Sequence, residues 1–255
     1  MNSWALTAIV FICLSGGAFL GMRLRSRLPA HHLDDSTKDV VRVAMGLVAT
    51  MSALVLGLLV ASAKNSYDVR ISEFNQMSAN LVLLDTALQQ YGTADATDAR
   101  DLLRRAAVLM LEHAWPQEES QTSTVGAADT TVQSRALYTK IQQLIPQNDM
   151  QRRLQAQALE ICTNLGTMRW LLAAQQHGSN IPMPFMLVLI FWLAVLFASF
   201  GLFAPPNATT IATMILCALS VSGALLLILD LARPFEGIFQ ISSAPLRAAI
   251  AQLGH

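Results

Sequence analysis

Few residues of this chain have types and spacings that could do chemistry. The run at residues 31–35, "HHLDD", offers imidazole and carboxylate ligands for a metal ion. A metal site needs three or four converging ligands, but adjacent histidines point apart on regular structure and no second cluster accompanies them. Cys13, Cys162 and Cys217 are far apart in sequence and form neither a CxxC pair nor a disulfide framework. We therefore expect no metal site and no cofactor.

Catalysis and nucleic-acid binding are also disfavoured. The sequence contains no nucleophile elbow, phosphate-binding loop or zinc-protease helix, and no constellation of acid, base and nucleophile. Lys and Arg number 17 and Asp and Glu number 17, so the formal net charge is zero. Because binding to phosphates requires a surplus of basic residues, the charge balance argues against nucleic acid as a partner. We expect neither an enzyme nor a nucleic-acid-binding protein.

The composition instead indicates a membrane protein. Hydrophobic residues make up 53% of the chain and charged residues only 13%, whereas a soluble domain has about 25% charged residues. A helix needs about 20 apolar residues to cross the hydrocarbon core. Four segments meet this requirement: residues 4–22, 40–63, 185–204 and 209–231. The sequence predicts an all-α protein with four transmembrane helices, and the lipid bilayer is its first expected partner.

The region between the second and third spans has the pattern of a helical bundle. The second span continues without proline or glycine until Gly92, and its polar half carries apolar residues at steps of three and four. These are Tyr67, Ile71, Phe74, Met77, Leu81, Leu84, Leu88 and Tyr91. Thr93, Asp95 and Thr97 are candidate N-caps of a second helix. Further helices are predicted at residues 132–145 and 149–176, after a polar linker at residues 116–131.

Four segments of different character follow from these patterns. They are the first two spans with a basic loop (1–63), an extramembrane helical bundle (64–182), the last two spans (183–232) and a C-terminal tail (233–255). We expect the tail to lie at the membrane interface, because Leu246, Ile250 and Leu253 form one apolar edge of a short helix. Ser243 is predicted to cap that helix, with Pro245 in its first turn.

The basic residues predict the orientation in the membrane. Arg23, Arg25 and Arg27 follow the first span, and the loop at residues 23–42 contains five Lys or Arg. The positive-inside rule places this loop in the cytoplasm. The helical bundle would then lie on the periplasmic side.

A row of small residues marks the second span. Ala49, Ala53, Gly57 and Ala61 recur at intervals of four, and such rows let transmembrane helices approach closely. One interpretation is an oligomer seam or a narrow pore wall. The other, which we favour, is packing against a neighbouring span of the same chain. Gly17 and Gly21 of the first span suit that partner, while hydroxyl groups could line a pore without charges; these belong to Thr50, Ser52, Thr213, Ser220 and Ser222.

The fourth span ends at a group of polar and helix-breaking residues. Asp230 and Arg233 can pair with each other at the hydrated end of the span. Pro234 ends the helix and Gly237 permits the turn that follows, with Glu236 between them. We interpret this group as the place where the chain leaves the membrane, rather than as a catalytic or transport site.

Four sequence blocks resemble one known family. They are "AKNSYDVR" (63–70), "NLVLLDTALQQYG" (80–92), "ARDLLRR" (99–105) and "LDLARPFEGIFQISSAPLRAAIAQL" (229–253). Together they resemble the bacterial bestrophin-like family, integral membrane proteins of unknown biochemical activity. The resemblance implies an α-helical, multi-pass protein of the bacterial inner membrane. Family members often carry an acid and a base at the positions of Thr86 and Ala232, so an ion pair between those positions is not expected here.

Two functions follow as hypotheses. The family name derives from bestrophins, which are oligomeric anion channels, and together with the small-residue row this favours a homo-oligomeric ion channel or pore. The alternative is a membrane-anchored sensor or scaffold that binds a protein partner through the helical bundle.

Overall fold

The computed structural model describes residues 3–28, 34–115, 127–177, 183–205, 207–232 and 239–253. All regular structure in these ranges is α-helical, as the sequence predicted. The helices are α1 (Ser3–Arg25), α2 (Asp35–Tyr91), α3 (Ala94–Ala114), α4 (Ala127–Gln142), α5 (Asp149–His177), α6 (Met183–Phe203), α7 (Ala208–Leu231) and α8 (Ala244–Gln252).

The four predicted membrane spans are confirmed as long apolar helices. The spans fall on α1, α2, α6 and α7, and α3 to α5 lie between the second and third of them in the chain. The chain divides into two compact units. The first unit contains residues 1–67 and 179–238, and the second contains residues 68–178 and 239–255, so α2 contributes to both.

The first unit is held together by large aliphatic side chains from all four apolar helices. Its core includes Leu14 of α1, Leu59 of α2, Leu189 of α6 and Leu225 of α7. Helix α6 buries one side against α1, where Leu193, Leu196 and Phe197 join the same core.

The second unit is a helical bundle, and its main apolar stripe is the one predicted on α2. Phe74, Met77, Leu84 and Leu88 are all buried. Helix α2 ends at Tyr91 because the next residue, Gly92, adopts a positive φ of 74° that favours glycine. Thr93 then caps α3 by accepting a hydrogen bond from the Ala96 amide at 3.3 Å.

Local side-chain bonds close the turn between α4 and α5. The Gln155 Nε2 amide donates to the carbonyl oxygens of Ile141 and Leu144 at 2.9 and 2.8 Å, which satisfies acceptors at the end of α4. The Asn148 side chain accepts from the Gln151 amide at 2.8 Å and caps α5. Helix α4 begins at Ala127, five residues before the predicted start, and most of the predicted linker (116–126) lies outside the described residues.

The apolar edge predicted on the C-terminal helix is covered by protein. We expected Leu246, Ile250 and Leu253 to rest on the membrane surface, but Leu246 and Leu253 are buried against protein. Helix α8 packs on α3 within the second unit, so the apolar edge has a protein partner. Ser243 precedes α8 without capping it through its side chain; its hydroxyl accepts a hydrogen bond from Arg247 at 3.2 Å instead.

Candidate functional site

The small-residue row of α2 is mostly uncovered. Ala53, Gly57 and Ala61 are exposed, and a Cβ atom added at Gly57 would meet nothing within 4 Å. Only Ala49 is half-buried and packs against the core of the first unit. We favoured packing of this row within the chain, and the structure shows such packing only at Ala49 among the four residues. The other three positions face open space in the part of the chain that the structure describes.

This surface extends beyond the four predicted residues. Gly46 and Thr50 precede Ala53 at steps of four and three, both are exposed, and Gly46 also has open space beside it. We call the exposed residues Gly46, Thr50, Ala53, Gly57 and Ala61 the α2 face. Bulky exposed residues flank it on one side, namely Leu47, Leu54 and Leu58. The α2 face is thus a shallow strip on which the helix backbone itself is open to close approach.

The predicted pore hydroxyls do not share one surface of a single chain. Thr50, Thr213 and Ser220 are exposed, whereas Ser52 and Ser222 are buried. The first four donate to carbonyl groups of their own helices at 2.8 to 2.9 Å. The Ser222 hydroxyl has no hydrogen-bond partner among the described residues. Of this set, only Thr50 belongs to the α2 face.

The glycines of α1 have a different partner from the one predicted. A Cβ atom at Gly17 would lie 3.1 Å from the Ala194 carbonyl oxygen of α6, and one at Gly21 would overlap the Ala198 carbonyl oxygen. Gly201 of α6 is equally close to the α1 backbone. The two helices therefore cross in backbone contact, as small residues permit in membranes. Gly17 and Gly21 pack on the third span rather than on the second.

A buried ion pair joins α2 and α3 in the second unit. Arg100 donates two hydrogen bonds to the Asp85 carboxylate, from Nε at 2.7 Å and from Nη2 at 2.8 Å. The hydrogen bond to Asp85 is the main cause that raises the pKa of the Arg100 guanidinium. The two groups satisfy each other's hydrogen-bonding capacity, and the pair links the two helices.

Sequence reasoning missed the contact that holds the C-terminal segment to the second unit. The indole nitrogen of Trp115 donates to the Ile241 carbonyl oxygen at 2.9 Å, and its ring packs edge-on against Phe74 at 5.0 Å between centroids. Trp115 directly follows α3 and precedes a proline, so its sequence context indicated only a helix end. The contact joins residues that are 126 positions apart, which no local pattern encodes.

The comparison with known families agrees with this architecture. A family model of the bestrophin-like domain matches residues 12–246. The chain belongs to the bestrophin-like family. No curated protein and no solved structure matches it.

The membrane-exit residues of this bestrophin-like protein are described only in part. Asp230 is buried, with 4% of its surface exposed, and it takes part in polar interactions. We expected the Asp230 side chain to be hydrated at the end of the span, but it is buried in protein. Arg233, Pro234, Glu236 and Gly237 lie outside the described residues. Thr86 is exposed and its hydroxyl donates to the Val82 carbonyl oxygen at 2.9 Å, while Ala232 is half-buried.

The three topology arginines differ in their surroundings. Arg25 donates from Nη1 to the Ala204 carbonyl oxygen beyond the end of α6, whereas Arg23 and Arg27 are exposed. The run at residues 31–35 lies largely outside the described residues. Among the residues that are described, no group of three or more potential metal ligands occurs.

Proposed function

We propose that this bestrophin-like protein assembles with further copies of itself through the α2 face and that the assembly forms an ion-conducting pore. One observation carries the proposal: Ala53, Gly57 and Ala61 face open space on a membrane-spanning helix. Lipid gains little from contact with such a strip, whereas another helix can approach it to backbone distance. The same protein uses glycines in this way between α1 and α6, so an uncovered row is an unused contact of the same kind.

The composition of the α2 face suits a narrow path near a symmetry axis. It carries no charge, its side chains are short, and Thr50 keeps an acceptor oxygen exposed while donating to Gly46 at 2.9 Å. Polar oxygens and small side chains can line a pore without ionised groups. The family name supports a channel function as well. Neither a catalytic role nor a nucleic-acid partner is part of the proposal.

Flux measurements with matched glycine variants test the pore. In the purified protein reconstituted in liposomes, we expect Gly57→Leu to abolish ion flux because four added carbon atoms fill the α2 face. Gly16→Leu is the control: Gly16 is exposed on α1, also has open space beside it, and receives the same added volume. Equal flux for wild type and both variants would contradict the proposal, as would liposomes that stay tight at all salts and potentials.

The mass of the intact complex in detergent tests the assembly separately. We expect several copies for the wild type and for Gly16→Leu, and a loss of assembly or a changed copy number for Gly57→Leu. A wild-type monomer would rule out a pore built on this face.

A scaffold function is the second candidate, favoured by the turn between α4 and α5. Ile145 and Met150 are large apolar side chains with exposed fractions of 81% and 60%, and they are close together in the chain. We take the two as parts of one docking surface, since a contiguous exposed apolar surface marks a protein-binding site. We expect in-membrane crosslinking to give a partner adduct that disappears on Ile145→Ser with Met150→Ser. An unchanged adduct pattern would count against this function.

We further propose that the second unit lies on the periplasmic side of the inner membrane, because the basic loop at residues 23–42 precedes the second span and the bundle follows that span. In a chain with Cys13, Cys162 and Cys217 replaced, an impermeant maleimide added to intact spheroplasts should label Glu160→Cys on α5. Ser26→Cys, after α1, should react only when the cells are opened. The reverse pattern would place the second unit in the cytoplasm.

A further inference from the structure

Helix α1 has two faces that end in different ways. The face that packs on α6 contains Leu14, Ala18 and Gly21, and it ends in Arg25, which is bound to the Ala204 carbonyl oxygen. The opposite face is exposed and ends in Arg23. Arg25 and Arg23 are only two residues apart, but the turn of the helix places them on opposite faces, so Arg25 packs and Arg23 does not.

The exposed face is a continuous apolar surface up to Arg23. Ile12, Gly16, Phe19 and Arg23 follow at steps of four, three and four, which places them in one line along the helix. Ile12 and Phe19 have exposed fractions of 68% and 50%, and a side chain at Gly16 would meet nothing within 4 Å. Beside this line lie Leu20 and Leu24, which are 67% and 48% exposed. Apolar side chains on a membrane-spanning helix face lipid chains when no protein covers them.

The length of this line matches one leaflet. Ile12 and Arg23 are separated by eleven residues, or about 16 Å at 1.5 Å per residue. Half of the hydrocarbon core is about 15 Å thick. A lipid whose acyl chain lies beside Ile12 and Phe19 therefore has its headgroup at the level of Arg23.

Arg23 and Arg27 are available to bind an anion there. Both are exposed, and no carboxylate forms an ion pair with either within the described residues. The turn between them is fixed, because the Ser26 hydroxyl donates to the Arg23 carbonyl oxygen at 2.7 Å and the Arg27 amide donates to the Leu24 carbonyl oxygen at 3.0 Å. A guanidinium group binds phosphate oxygens through paired N–H donors.

We propose that Arg23 and Arg27 bind the headgroup phosphate of an anionic phospholipid whose acyl chains lie along the exposed face of α1. The continuity of the arginines with an apolar, membrane-spanning surface identifies a lipid rather than a free phosphate ion as the ligand. A net negative headgroup is favoured because a zwitterionic headgroup carries its own cation beside the phosphate. The site is independent of the proposed pore and of the side on which the second unit lies.

Native mass spectrometry of the full-length protein in mixed micelles tests the site. Phosphatidylglycerol and phosphatidylcholine of equal chain length are supplied, and the bound ratio is measured. We expect Arg23→Gln with Arg27→Gln to lower the preference for phosphatidylglycerol about fivefold for each arginine, the effect of one basic residue near an anionic surface. Arg23→Lys with Arg27→Lys should keep most of it. The control is Arg104→Gln with Arg105→Gln, which removes two exposed charges from α3 and should change nothing.

Three results would overturn the proposal. The first is an unchanged lipid ratio in the folded glutamine variant. The second is displacement of bound phosphatidylglycerol by inorganic phosphate at the same concentration as by added phosphatidylglycerol, which would make a free anion the ligand. The third is an efficient disulfide between copies that carry Leu20→Cys with Cys13, Cys162 and Cys217 replaced, which would show that a second copy covers this face. If the glutamine variant fails to fold, the salt dependence of the wild type tests the proposal. Its preference for phosphatidylglycerol must fall as the salt concentration rises, and an unchanged preference would contradict the proposal.

Discussion

Replacing Asp85 by Asn should destabilise the second unit by about 3 kcal/mol, because breaking a buried ion pair costs about 3 to 5 kcal/mol. The substitution keeps the shape of the side chain and one acceptor oxygen, but it leaves the Arg100 guanidinium with an uncompensated charge. Asp85 and Arg100 have side-chain exposures of 8% and 17%. Water can therefore reach part of the guanidinium, which places the expected loss at the lower end of that range.

Hydrogen exchange of the full-length protein in detergent measures this loss. A change of about 3 kcal/mol raises the opening equilibrium about 150-fold, so the slowest amides of α2 and α3 beside the pair should exchange faster by that factor. Glu160→Gln is the matched control: Glu160 is exposed on α5, and its change should stay within about 0.5 kcal/mol. Arg100→Met with Asp85→Leu should cost less than the two single changes added together. A coupling energy near zero would refute the inference that the pair is desolvated.

Three further predictions concern other contacts. Trp115→Phe removes the hydrogen bond to Ile241 and should cost about 1 kcal/mol, seen as faster exchange in residues 241–253; unchanged exchange there would contradict it. Gly21→Ala inserts a methyl group against the α6 backbone and should destabilise the first unit by about 1 to 3 kcal/mol, whereas Gly16→Ala should not, as thermal unfolding in detergent can measure. Burial raises the pKa of the Cys162 thiol from 9.0 to about 11, so its thiolate fraction at pH 8 falls about 100-fold. With Cys13 and Cys217 replaced, alkylation at pH 8 should be slower by that factor in the native protein than in denaturant, and equal rates would show an accessible thiol.

The helices could be predicted because their signals are local. The spans follow from length and apolar composition, and the stripe from Phe74 to Tyr91 follows from a period of three to four residues. Gly92 ends α2 through its own backbone conformation. The start of α4 was placed too late because Ala127–Thr131 is polar and resembles a linker, although it is helical.

The contact partners could not be predicted in the same way. An apolar edge can be buried by lipid or by protein at similar benefit, so Leu246 and Leu253 were assigned to the membrane surface although they pack within the second unit. Likewise, rows of small residues on α1 and α2 look alike in sequence. The structure distinguishes them, because Gly21 lies against the α6 backbone whereas Gly57 has open space beside it.

The sequence by itself determined that this is a helical membrane protein with four spans and a helical insertion, because hydropathy and periodicity are properties of each segment alone. The tertiary structure decided which small-residue row is occupied, that Asp85 binds Arg100 among the available arginines, and that Arg25 packs while Arg23 remains exposed. The physical reason is that a contact depends on two surfaces at once. Residues far apart in the chain meet only after the helices have packed.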